Sequence, residues 1–89
     1  MQLPLIHLNG TSRETLLGEA SDACTAIRAA LDAVANATPN GRDYYPLGVG
    51  AFTTAQREHM SRMERLSSVL SELETLAEAI ANANATRNP

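Results

Sequence analysis

The sequence predicts an all-α fold, two long antiparallel helices joined by an extended loop, and three observations carry that prediction. In the first half of the chain, Leu17, Cys24 and Leu31 recur every seven residues. So do Ala20, Ile27 and Val34, and likewise Leu16, Ala23 and Ala30, which makes a broad apolar helical face. In the second half, Met63, Leu66, Leu70, Leu73, Ala77 and Ile80 keep a spacing of three and four, flanked by Met60, Val69 and Leu76. Between the two runs lies Thr38-Pro39-Asn40-Gly41 through Pro46-Leu47-Gly48-Val49-Gly50, rich in residues that interrupt helices.

The elements follow in order. Residues 1–10 read as an extended arm ending at Asn9-Gly10. Thr11, with Glu14 three residues on, has the spacing of a capping box, so a first helix is expected over about 12–36. Thr53, with Gln56, repeats that spacing and opens a second helix over about 53–83. Residues 37–52 form the connection, and 84–89 a polar tail expected to fray. A helix–helix connection usually needs about 2–8 residues. This one is far longer and holds every aromatic residue of the chain: Tyr44, Tyr45 and Phe52.

Composition sets bounds on the function. At 89 residues the chain is one domain, near the lower size limit for an unaided core. Its 44% apolar content is mostly aliphatic, with only 3% aromatic, so each buried side chain contributes little area. Three adjacent apolar rows on one helix exceed what a two-helix hairpin covers. A homo-oligomeric helical bundle with coiled-coil-like packing is therefore expected, its interface drawn from Leu17, Cys24, Leu31, Met63, Leu66, Leu70, Leu73 and Ile80; the alternative is a three-layer monomer in which the arm, with Leu3, Leu5, Ile6 and Leu8, covers the surplus. A net charge of −3 argues against general nucleic-acid binding. No apolar run approaches the ~20 residues needed to span a bilayer, and the first residues lack a basic n-region, so a cytoplasmic location is expected.

Charge is unevenly placed along the hairpin. From Arg28 to Arg65, five arginines (Arg28, Arg42, Arg57, Arg62 and Arg65) face Asp32, Asp43, Glu58 and Glu64, a balance of +1. The rest, at the end holding both termini, sets Arg13 and Arg87 against Glu14, Glu19, Asp22, Glu72, Glu74 and Glu78, a balance of −4. An antiparallel hairpin is thus basic at its loop end and acidic at its terminal end.

Two polar clusters are candidate binding sites. In the loop, Arg42 suits a phosphate or carboxylate, Tyr44 or Tyr45 a base, and Asn40 or Asp43 its polar edges. The alternative use of these tyrosines is to plug the open end of the hairpin, with Arg42 paired to Asp43 or a helix carbonyl. In the arm, His7 and Asn9 form the second cluster; a lone histidine is more often structural than a ligand. His59, beside Met60 and Met63, reads as interfacial. No Ser, Cys or carboxylate stands at a diagnostic spacing from either histidine, and Cys24 lies on an apolar row with no metal-ligand spacing around it. A non-enzyme with no catalytic residues, metal or cofactor is expected.

His7-Leu8-Asn9-Gly10-Thr11, together with Asn40-Gly41-Arg42-Asp43-Tyr44-Tyr45-Pro46 between Ala/Leu helices, resembles small helical-hairpin proteins of phages and prophages. In size and layout the chain is also similar to the small oligomeric helical proteins with which phages sequester cyclic-nucleotide signals of bacterial defence. That second likeness is one of architecture alone and carries over no residue. It implies a bacterial cytoplasm, self-association and a cyclic-nucleotide or ADP-ribose-type ligand. The competing expectation is an assembly adaptor or inhibitor that docks its apolar helical face on another protein.

Overall fold

The computed structural model describes residues 1–83; the expected frayed tail, 84–89, lies outside the described residues. Helix α1 spans Arg13–Asn36 and helix α2 spans Ala51–Asn82. They pack side by side in antiparallel fashion, as the two apolar stripes predict. The molecule is a rod of 70 × 19 × 17 Å with a radius of gyration of 19.7 Å. A compact chain of this length would have a radius near 12 Å.

Both helix starts differ from the sequence expectation. Ser12, not Thr11, caps α1: its backbone is extended (φ −64°, ψ 154°) and its Oγ accepts the Thr15 N–H at 3.2 Å. The Ser12 Oγ also lies 3.0 Å from the Thr15 Oγ1, so a hydroxyl at the third helical position stands where a capping box would use Glu or Gln. Helix α2 begins two residues before Thr53, behind Gly50 in the left-handed region (φ 91°) and with no side-chain cap. The early start is tied to Phe52. Gly41 sits close enough that an added Cβ would lie 3.5 Å from the Phe52 ring, and the Tyr44 ring is centred 6.2 Å from it. Starting at Ala51 puts Phe52 inside that cluster, and two glycines with positive φ, Gly48 and Gly50, supply the abrupt turn into the helix.

Cross-chain pairs define the register. Arg13 donates to the Ala83 carbonyl, Arg28 pairs with Glu74, and Thr38 meets His59. The first of these places a cation at the C-terminal end of α2, where the helix dipole favours it. With this register α2, at 32 residues against 24, overhangs α1 at the loop end. The connection climbs along that overhang in two short 3₁₀ turns, Gly41–Asp43 and Tyr45–Leu47. Its length is explained by the unequal helices.

Few side chains leave solvent completely. Among the described residues only Ile6, Ala20, Cys24, Ile80 and His59 are buried. Of the interface expected from sequence, Cys24 and Ile80 are enclosed within the hairpin itself; Leu17, Leu31, Met63, Leu66, Leu70 and Leu73 are half-buried. The Arg28–Glu74 ion pair, 3.3 Å long, has both side chains over half exposed (54% and 52%). Solvent screening makes such pairs worth little. Arg28→Gln is therefore expected to change stability by less than about 1 kcal/mol in urea denaturation.

Candidate functional site

The loop organises itself with its own polar groups. The Asn40 side chain accepts the Arg42 N–H at 3.1 Å, and the Asn40 carbonyl accepts the Asp43 N–H at 3.0 Å. The Gly41 carbonyl takes the Tyr44 N–H at 3.0 Å, and the Tyr44 carbonyl the Leu47 N–H at 2.9 Å. Asn40 is thus a cap of the first 3₁₀ turn, and Tyr44, half-buried on Phe52, is a plug. Arg42 and Asp43 are exposed, and among the described residues neither side chain is engaged in a hydrogen bond or ion pair. Tyr45 is 76% exposed. The loop therefore presents Arg42, Asp43 and Tyr45 outward from a backbone held by hydrogen bonds. Toward the same end of α2, Arg57, Arg62 and Arg65 line a shallow surface with Glu58 and Ser61.

The arm cluster is elsewhere. His7 and Asn9 precede the first turn of α1, whereas Arg42 follows its last. Twenty-four residues of helix separate them by about 36 Å at 1.5 Å per residue. Within one chain the two clusters do not meet. The arm closes a turn, with the Gly10 N–H donating to the His7 carbonyl at 3.2 Å. The His7 ring lies over Gly10 so closely that a Cβ there would come within 2.6 Å of its Nε2. Glycine at this position is what allows the ring to fold back.

A third feature centres on His59, which the sequence reads as interfacial and the structure encloses within the hairpin. His59 is buried, and its Nε2 lies 3.3 Å from the Thr38 Oγ1. The Thr38 hydroxyl donates to the Ala35 carbonyl at 2.6 Å. Having only one proton, the hydroxyl accepts from His59, which assigns the proton to Nε2. The pair ties the end of α1 to the overhang of α2, beside a cavity of about 220 Å³ lined by Ala35, Thr38, Pro39, Gln56, His59, Met60 and Met63. Sites for drug-sized ligands start at about 300 Å³. The signal was present in the sequence, since His59, Leu66, Leu73 and Ile80 recur every seven residues and put the histidine on the inward row.

No protein family, curated protein or solved structure matches this chain. Among the described residues no helix is long and apolar enough to cross a membrane. No group of three or more His, Cys, Asp or Glu among them is placed to hold a metal ion.

Proposed function

We propose that this protein is a non-catalytic, self-associating helical binding protein whose loop end takes a small anionic, nucleotide-like ligand. The observation that carries this reading is the division of labour in the loop. Asn40 and Tyr44 hold its shape, while Arg42 and Tyr45 project from it uncommitted. A guanidinium suits a phosphate through two parallel hydrogen bonds, and a tyrosine ring stacks on a base. Arg57, Arg62 and Arg65 add positive charge along the same end of the rod. The cavity beside His59, at about 220 Å³, is smaller than such a ligand needs, and the Arg57–Arg65 surface is shallow, so this reading takes a contribution to the site from a neighbour. Against catalysis stands the chemistry of the histidines: His59 is held by a hydroxyl that already donates to a carbonyl, so it has no nucleophile to activate. A bacterial, phage-encoded role in sequestering defence signals is the biological setting that this reading extends to.

Thermal shift with a panel of cyclic di- and trinucleotides and ADP-ribose tests it. At a ligand concentration 100-fold above Kd the protein is expected to gain about 2.7 kcal/mol. Arg42→Ala is expected to remove that gain without altering the melting of the free protein. No shift with any member of the panel would overturn the ligand reading.

A second reading, a protein-interaction module, is favoured by a different observation. Val69 and Met60 on α2 are 43% and 59% exposed, and Leu3, Leu5 and Leu8 of the arm are 46%, 64% and 82% exposed. Exposed apolar side chains this numerous on so small a protein mark a contact surface.

A further inference from the structure

The two sides of the hairpin differ in chemistry. On one side Ser21, Thr25 and Arg28 lie across from Glu74 and Glu78, and the surface is polar. On the other, Leu16, Ala20 and Ala23 of α1 face Leu73, Leu76 and Ile80 of α2. The arm lies on this apolar side, where its Leu3 and Pro4 help line a groove of about 440 Å³ and Ile6 is buried. It covers only the terminal half. The same row continues along α1 to Ile27, Ala30 and Val34, and along α2 to Leu66 and Val69, always at spacings of three and four. There Val69 is exposed and the other four are half-exposed. One half of the face is thus overlaid by a segment with outward leucines, Leu5 and Leu8, and the other half is an open apolar groove.

We infer that a second copy of the chain docks antiparallel on this face, each arm lying over the open groove of the other. A two-fold axis through the middle of the face makes the contact self-complementary, as a closed dimer requires. The parallel alternative would stack arm on arm and leave both grooves open. Charge selects the same arrangement, because the terminal end of one copy, where the described residues set Arg13 against Glu14, Glu19, Asp22, Glu72, Glu74 and Glu78, then meets the +1 loop end of the other. Arg62, which continues the Leu66–Val69 row, comes to the level of Glu14 and Glu19 of the partner subunit. Size fits as well. A face about 36 Å long and 19 Å wide covers about 700 Å², close to the ~800 Å² per partner of a stable interface. The contact would bury the surface that leaves the single hairpin with five buried side chains. It also carries His7 and Asn9 of the partner subunit to the level of the loop, beside Arg42 and Tyr45. This deepens the ligand reading above and rests on it only for that composite site.

Sedimentation equilibrium of the full chain at micromolar concentration is the first measurement. A mass of twice 9.5 kDa, or an even multiple, is expected. Val69→Lys is expected to shift the mass to that of a monomer, or weaken association at least 10-fold, with helical circular dichroism retained. Orientation is read by disulfide trapping in a Cys24→Ala background, mixing chains carrying Leu5→Cys with chains carrying Val34→Cys. The antiparallel arrangement gives the mixed disulfide in preference to the Leu5→Cys homodimer. A monomeric wild-type mass overturns the inference, and so does preferential trapping of Leu5→Cys with itself. A dimer with the mixed disulfide but no nucleotide-induced shift upholds the docking and sinks only the ligand reading. Nucleotide binding by a monomer does the reverse.

Discussion

Ile80→Ala is expected to lower the melting temperature by about 12–24 °C, followed by circular dichroism at fixed protein concentration. Ile80 is 3% exposed, the most buried of the described residues, and it lies between the helices where the arm also packs. Truncating a buried isoleucine costs ~3 kcal/mol, combining lost transfer energy with the cavity left behind. For a domain of this size each kcal/mol moves the midpoint by about 4–8 °C. The loss is large because so few other residues are buried. A midpoint that barely moves would mean that the terminal end of the hairpin contributes little to cooperativity.

Thr38→Val is expected to cost about 1–3 kcal/mol in urea denaturation. Valine keeps the shape of threonine but removes the side-chain acceptor that the buried His59 Nε2–H has among the described residues. The remedy is equally specific. Adding His59→Leu removes the unsatisfied donor, so the double variant should recover most of the loss. A double-mutant cycle with no coupling between the two positions would show that the 3.3 Å contact does not bind the helices together. This pair matters beyond stability, because it holds the α2 overhang on which the loop and its outward Arg42 rest.

Much of this architecture was legible in the sequence, and the reasons are physical. The seven-residue rows of α1 and the three-four stripe of α2 identify amphipathic helices because a helix repeats its faces every 3.6 residues. The loop stood out because glycine and proline interrupt that pattern from Pro39 to Gly50. The start of α1 lies one residue beyond its sequence expectation because Thr11 and Ser12 offer the same hydroxyl chemistry, and only backbone geometry separates them. The start of α2 was placed two residues late for another reason. Capping chemistry pointed to Thr53, while contact of Phe52 with Tyr44 and Gly41 drew the helix further back.

By itself the sequence determined the hairpin: two helices, a connection between them rich in turn residues, and opposite charge at the two ends. Those properties are local or additive, so they need no knowledge of which surfaces touch. What only the tertiary structure decided is how each cluster is used. Asn40 and Tyr44 became parts of the loop's own framework, whereas Arg42 and Tyr45 stayed outward. His59 found its partner in Thr38, twenty-one residues away, because the register of α1 on α2 brings them together. The arm settled on one half of one face, leaving the other half open. Each of these depends on contacts between residues distant in the chain, and periodicity within one segment carries no record of them.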